Sequence, residues 1–297
     1  MGESRQNPEQ LLKSLQTDEE NRNKGHLKIF FGYAAGVGKT YAMLEAAHMA
    51  KQQGIDVVAG YVEPHACPKT AALLNGLEVL PTREVFYNGM ILDEFDIGMA
   101  LKRKPQLILV DELAHTNAEG CRHAKRYQDI KELLNAGIDV YTTVNVQHIE
   151  SLCDTVASIT EIVVRERIPD SIFDNADQVE LIDIEPQDLI NRLNTGNVYR
   201  QTQAKQAVEN FFTIENLTAL REISLRRCAD RVNILTENTR IKNHGDYHTG
   251  EHILVCLSSS PSNAKIIRTA AKMASAFKGE FTALFVETPD FSVMSEE

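Results

Sequence analysis

The chain has 297 residues, of which 43% are hydrophobic and 25% charged, proportions that are typical of a folded protein with one large or two ordinary domains. Its formal net charge of −11 argues against a non-specific nucleic-acid binder, which needs a basic surface, but it leaves a nucleotide ligand open. No apolar run approaches the roughly 20 residues of a membrane-spanning helix, and the five cysteines form no CxxC pair, so we expect a cytoplasmic protein with reduced cysteines.

The polar composition of residues 1–25 predicts a flexible N-terminal arm, and the first structured part of the chain follows it. Strand and helix patterns then alternate, which indicates an α/β domain with a doubly wound, mostly parallel sheet. The predicted strands are 27–31, 55–62, 107–110 and 138–146, and the predicted helices are an apolar-striped segment ending before Gly54, 95–103 and 127–135.

Beyond about residue 150 the pattern predicts a helical extension that completes a domain spanning 26–237. The predicted elements are strands at 162–167 and 179–184 and helices at 187–193, 204–212 and 214–235. The last helix carries four arginines, which form either a docking surface or an ordinary solvated face. They are Arg221, Arg226, Arg227 and Arg231.

A polar segment with two glycines, 238–251, predicts a linker to a second unit. Its pattern is a strand at 252–257, a helix at 262–277 and a strand at 281–287. A single βαβ unit cannot bury its sheet face alone. Residues 252–297 are therefore predicted to be either the beginning of a second α/β domain or a piece that a partner completes.

The turn after the first predicted strand has the composition of a phosphate-binding loop: GYAAGVGKT at 32–40. Its glycines let backbone amides surround a phosphate, its lysine reaches the β- and γ-phosphates, and its threonine hydroxyl ligates Mg²⁺. The turn therefore predicts an ATP·Mg²⁺ site. The candidate nucleotide-binding residues are Gly36, Val37, Gly38, Lys39 and Thr40, with Thr40 also a metal ligand.

This loop departs from the strict pattern G-x-x-x-x-G-K-[ST] at its first position. The pattern requires a glycine at position 33, where the chain has Tyr33, and Gly32 stands one residue early. A glycine-rich turn with a chance Gly-Lys-Thr sequence is the alternative, but the strand before it and the helix after it favour the P-loop.

Two carboxylates end the apolar strand 107–110 and support this interpretation. Asp111 is predicted to hold the Mg²⁺ shell, and Glu112 to act as a catalytic base on an attacking water. At the end of strand 138–146, Asn145 and Gln147 either sense the γ-phosphate or cap the next helix, and the sequence does not decide between the two.

Several motifs together resemble the N-terminal domain of the KdpD sensor kinase family, over about 27–232. They are GYAAGVGKT (32–40), GYVEPH (60–65), LEVLP (77–81), VDELAHTN (110–117) and NVQHIESL (145–152). The resemblance implies an ATP-binding regulatory region of a two-component sensor histidine kinase that controls potassium uptake. It also implies two partners, the kinase portion of such a protein and, through it, the KdpE response regulator.

The second unit is similar to the opening of the universal-stress-protein domain that follows in this family. In some members that domain binds cyclic di-AMP through Ser-x-Ser and, twenty residues later, Phe-Thr-Ala-x-Tyr. The matching residues here are Ser258, Ser260, Phe281, Thr282 and Ala283, with Phe285 in place of the final Tyr. A plain βαβ turn capped by serines is the alternative.

Within these residues no transmembrane hairpin and no histidine-kinase core is recognisable, so we expect no histidine autophosphorylation by this chain. We favour the hypothesis of a regulatory ATP-binding module, and the sequence leaves a homo-oligomer open. The alternatives are a stand-alone P-loop ATPase or phosphotransferase with Glu112 as base, and a scaffold whose P-loop is vestigial.

Overall fold

The computed structural model describes residues 24–63, 68–87, 89–194, 211–243, 252–257, 263–276 and 279–285. The chain divides into two compact units, Met1–Cys228 and Ala229–Glu297. The helices and strands up to residue 194 are β1 (Leu27–Gly32), α1 (Lys39–Gln52), β2 (Val57–Tyr61), α2 (Pro68–Ala72), β3 (Glu78–Val79), β4 (Arg83–Tyr87), β5 (Met90–Glu94), α3 (Ile97–Arg103), β6 (Leu107–Val110), α4 (Arg126–Asn135), β7 (Asp139–Asn145), α5 (Cys153–Thr160), α6 (Asp170–Asp174), β8 (Gln178–Leu181) and α7 (Pro186–Asn194).

The first unit is built around a six-stranded sheet with the strand order β3-β2-β6-β7-β1-β8. Every pairing in this sheet is parallel, which confirms the predicted α/β class. Consecutive residues of β1 point to opposite faces, so Ile29 and Phe31 join one core cluster and Phe30 joins the other, beside Met43 of α1. Because both faces are buried, the central strand β6 is apolar throughout.

The structure corrects the prediction of a strand at 162–167. Those residues have no regular structure, and the neighbouring Ile168 makes only an isolated bridge with Ile149. The segment lies outside the sheet, whose edge strands are β3 and β8. The antiparallel hairpin of β4 and β5, which pairs separately from the sheet, is not predicted from the sequence. The predicted helix 204–212 lies outside the described residues except for its last two positions.

Helix α8 (Ile214–Asn243) continues past its predicted end at Leu235, into the first residues of the predicted linker. In the second unit, β9 (His252–Leu257), α9 (Asn263–Ala276) and β10 (Glu280–Phe285) form the predicted βαβ arrangement. Its two strands are parallel and pair from His252–Glu280 to Leu257–Phe285. In the part of the chain that the structure describes, no helix has the length and apolar character to cross a membrane.

Candidate functional site

A cavity of about 580 Å³ opens at the edge of the sheet where β1, β6 and β7 end. This volume lies in the range of small-molecule ligand sites, and ligands of parallel α/β sheets bind at this edge. The predicted loop and both predicted carboxylates, Asp111 and Glu112, line this cavity. The lining includes residues 35–42, Thr70, Asp111, Glu112, Ala114, His115, Thr143, Val144, Asn145, His148, Glu166, Ile182 and Arg192.

The loop backbone takes the conformation that its glycines allow. Gly36 and Gly38 have φ angles of 86° and 111°, in the left-handed region that L side chains rarely adopt. Gly38 directly precedes α1, and no side chain caps the start of that helix. The first amides of α1 are therefore suited to an anion, which the positive end of the helix also favours.

The irregular start of the loop has a packing explanation. A Cβ on Gly32 would lie 2.7 Å from Cγ2 of Val37 and 3.2 Å from Cδ of Lys39, so any side chain there would displace these neighbours. Tyr33 is fully buried, and its hydroxyl donates a hydrogen bond to the carbonyl of Ile184 at 3.1 Å. In the strict pattern the first glycine is the residue that leaves room for close packing of the loop. In this chain Gly32, one residue earlier, leaves that room.

Lys39 is buried at the base of the cavity. Its Nζ donates a hydrogen bond to the carbonyl of Ala34 at 3.0 Å. Burial lowers the pKa of Lys39 to about 8, while the negative charges of Asp111 and Glu112 act in the opposite direction. A phosphate group beside Nζ would favour the charged form in the same way.

Thr40 and Asp111 lie together although 71 positions separate them. The Thr40 hydroxyl donates to Oδ2 of the fully buried Asp111 at 3.1 Å, and the Thr143 hydroxyl donates to Oδ1. A hydroxyl beside a carboxylate is the oxygen donor set that Mg²⁺ takes next to a nucleotide. These two residues therefore fit the predicted metal position, where the ion would neutralise phosphate charge.

Glu112 follows Asp111 in a backbone conformation that is rare for a residue with a side chain, with φ 59°. Its N–H donates to Oδ1 of Asp111 at 3.1 Å. Desolvation, and after it the negative charges of Asp111 and Glu63, raise the pKa of Glu112 to about 7. A carboxylate with this pKa at the cavity wall is chemically suited to accept a proton near neutral pH.

At the end of β7, Asn145 and His148 line the cavity and Gln147 does not. Asn145 precedes a 3₁₀ turn, Val146–His148, and makes no side-chain cap to it. Its Oδ1 is buried without a hydrogen-bond partner among the described residues. Of the two alternatives for Asn145, the geometry therefore favours contact with a ligand.

Arg126 and Arg192 lie at this site although no motif in the sequence predicts a role for them there. Arg126 is fully buried, donates to the backbone carbonyl of Asp111 at 3.2 Å and pairs with Glu94 Oε2 at 3.1 Å. It therefore holds the end of β6 in place. Arg192 lies on α7 and faces the loop. Both arginines occur in polar helical segments whose sequence is typical of a solvated helix face. Only the tertiary structure shows that they lie at the site.

The predicted site in the second unit is described only in part, because Ser258 and Ser260 lie outside the described residues. Phe281, Thr282 and Ala283 lie on β10, and the Thr282 hydroxyl is 2.8 Å from Nε2 of His252. Ser258 follows the last residue of β9, which pairs with Phe285 rather than with Phe281. Since four residues span about 13 Å of strand, Phe285 is the aromatic nearest the serine end.

Comparisons with known proteins identify the family that the chain is similar to. The family model described as "KdpD: Osmosensitive K+ channel His kinase sensor domain" matches residues 23–232. Sensor protein KdpD of Clostridium acetobutylicum is 57% identical over 96% of the chain and 32% of its own length. Sensor protein KdpD of Escherichia coli is 50% identical over 99% of the chain and 33% of its own length.

A putative sensor protein KdpD of Synechocystis is 47% identical over 89% of the chain and 70% of its own length. The chain thus spans about a third of the length of the Clostridium and Escherichia proteins. A family model that covers most of the chain, together with relatives at these identities, establishes the relationship: the chain belongs to the KdpD sensor-domain family.

Proposed function

We propose that this chain is the ATP·Mg²⁺-binding regulatory region of a KdpD-type two-component sensor histidine kinase. In this proposal ATP in the cavity changes the balance of kinase and phosphatase activity towards the KdpE response regulator, and so controls potassium uptake. The kinase portion of the longer protein is the direct partner. The observation that carries the proposal is the convergence of Lys39, Thr40 and Asp111 on one cavity behind a glycine loop.

A stand-alone ATPase or phosphotransferase is the second candidate, and one observation favours it. Glu112 stands beside the metal-binding pair with its pKa raised to about 7, mainly by desolvation. This is the state in which a carboxylate can deprotonate a water or a hydroxyl group.

ATP binding and ATP turnover, measured in parallel on the same preparations, separate these two functions. We expect the wild-type chain to bind ATP·Mg²⁺ with little turnover and Glu112→Gln to bind it equally well. Glu161→Gln is the matched control, because Glu161 is exposed and also has a positive φ, of 58°. Substantial turnover that is lost only in Glu112→Gln would establish the enzyme instead, and absence of ATP binding would refute both.

We also propose that the second unit binds cyclic di-AMP at the end of its two strands. A strand-end hydroxyl pair suits phosphate, and an aromatic ring suits adenine. Titration with cyclic di-AMP should give binding that Lys39→Ala leaves intact and that the double substitution of Ser258 and Ser260 by alanine removes. Binding that survives the double substitution would refute this assignment.

A further inference from the structure

Among the described residues that line the cavity, one is an arginine, Arg192, and one is a lysine, Lys39. Arg192 belongs to α7, which follows β8, and β8 borders β1 on the side away from β7. Its Nη1 lies 3.5 Å from the carbonyl oxygen of Val37 and 3.9 Å from the position of a Cβ on Gly38. The guanidinium therefore faces the loop segment that opens α1.

The two cations occupy different flanks of the loop. The charges that act on Lys39 are those of Asp111 and Glu112, on the side of β6. The charge of Arg192 acts instead on Tyr33, where it lowers the pKa of the hydroxyl group, which burial raises. That hydroxyl group donates a hydrogen bond to the carbonyl of Ile184, just after β8. In a P-loop the backbone amides hold the α- and β-phosphates, while the lysine reaches the β- and γ-phosphates. The position of Arg192 thus corresponds to the α/β end of a bound nucleotide.

The chemistry of the side chain fits that position. A guanidinium makes short, forked hydrogen bonds to phosphate oxygens, which suits a position beside the phosphate-binding loop. Three carboxylates line the same cavity, Asp111, Glu112 and Glu166, so the positive charge of Arg192 adds to that of Lys39 and of the proposed metal ion in favouring the phosphates of a nucleotide.

We propose that Arg192 binds the diphosphate portion that ATP and ADP have in common. This inference rests on the proposed ATP site and adds a determinant of its affinity. Arg192 then strengthens the binding of ATP and ADP by the same factor, and the preference between them is left to Lys39 and the metal pair.

The test measures dissociation constants of ATP, ADP and inorganic tripolyphosphate, each with Mg²⁺, for the wild type, Arg192→Ala and Arg192→Lys. We expect Arg192→Ala to weaken all three about tenfold, the size of one charge-assisted hydrogen bond, and Arg192→Lys to recover part of the loss. Arg226→Ala is the control, since Arg226 is exposed and pairs with Glu222 on the same helix. The unfolding temperature of the ligand-free Arg192→Ala chain should equal that of the control.

Other outcomes overturn the inference in distinct ways. A loss confined to ATP would place Arg192 at the γ-phosphate, and unchanged tripolyphosphate binding would place it on the adenine. A lower unfolding temperature without ligand would make it a structural link between α7 and the loop. Wild-type binding that Arg192→Ala leaves unchanged refutes this inference alone, whereas a wild type that binds no nucleotide refutes the proposed function.

Discussion

At the scale of single residues, Glu112 gives the site a pH signature. Its pKa, raised to about 7 chiefly by desolvation, exceeds the ordinary value of 4.5, so the folded chain holds this proton more tightly than the unfolded chain does. The resulting stabilisation is complete below the ordinary pKa and is lost as the pH rises through about 7.

Glutamine imitates the protonated carboxyl group, so Glu112→Gln should match the wild type in acid and exceed its stability in base. We expect similar unfolding temperatures at about pH 4.5 and a higher one for the variant at about pH 8. Thermal unfolding followed by circular dichroism across this range checks the expectation. Glu161→Gln should show no such trend, and a constant offset between Glu112→Gln and the wild type would contradict the account.

At the scale of elements, the loop between β1 and α1 depends on a close approach at Gly32. Alanine there would bring its Cβ to 2.7 Å from Val37 and 3.2 Å from Lys39. Because the side chain of Lys39 would have to move, Gly32→Ala should lower both the stability, by about 1–3 kcal/mol, and the ATP affinity.

Gly120→Ala is the control for this prediction. A Cβ there meets nothing within 4 Å, but the φ of 98° strains an L residue. Gly120→Ala should therefore lower the free energy of unfolding by about 1 kcal/mol without changing the ATP affinity. Chemical denaturation gives the first quantity and calorimetric titration the second. Unchanged ATP affinity in a folded Gly32→Ala variant would refute this view of the loop.

The strands and helices next to the loop could be predicted because each has a local signal. Strand β6 was predicted at its observed bounds, since four consecutive apolar residues before two carboxylates mark a buried parallel strand. The hairpin of β4 and β5 could not be predicted, because its residues are largely exposed. Its sequence therefore shows only weakly the alternation of apolar and polar residues that marks a strand packed on a core. Segment 162–167 begins with three β-branched residues, Ile162, Val163 and Val164, which is typical of a strand. Pairing in a sheet also depends on a neighbouring strand, which no local pattern reveals.

The candidate site was predictable to the extent that its chemistry is written in short motifs. Lys39, Thr40 and Asp111 belong to such motifs, and the structure places them on one cavity. Arg192 reaches that cavity only because β8 lies beside β1, a pairing across about 150 residues. The role of Tyr33 likewise depends on Ile184, so the irregular first position could not be explained from the sequence alone.

At the scale of the whole molecule, the cavity lies entirely within the first unit, because its lining runs from Ala35 to Arg192. A chain ending at Asn243, where α8 ends, should therefore keep the ATP affinity of the full chain within about twofold. It should also lose the cyclic di-AMP binding proposed for the second unit. Titration of both chains with both ligands checks this, and loss of ATP binding on truncation would contradict it.

The measurement that tests the central claim most directly is calorimetric titration of the full chain with ATP·Mg²⁺, repeated on Lys39→Ala and Lys131→Ala. Lys39 is buried at the base of the cavity, whereas Lys131 is exposed on α4 and lies outside its lining. The account predicts saturable binding by the wild type and Lys131→Ala, weakened at least about a hundredfold in Lys39→Ala because the phosphates lose their buried cation. Equal binding by all three chains, or none by the wild type, would contradict it.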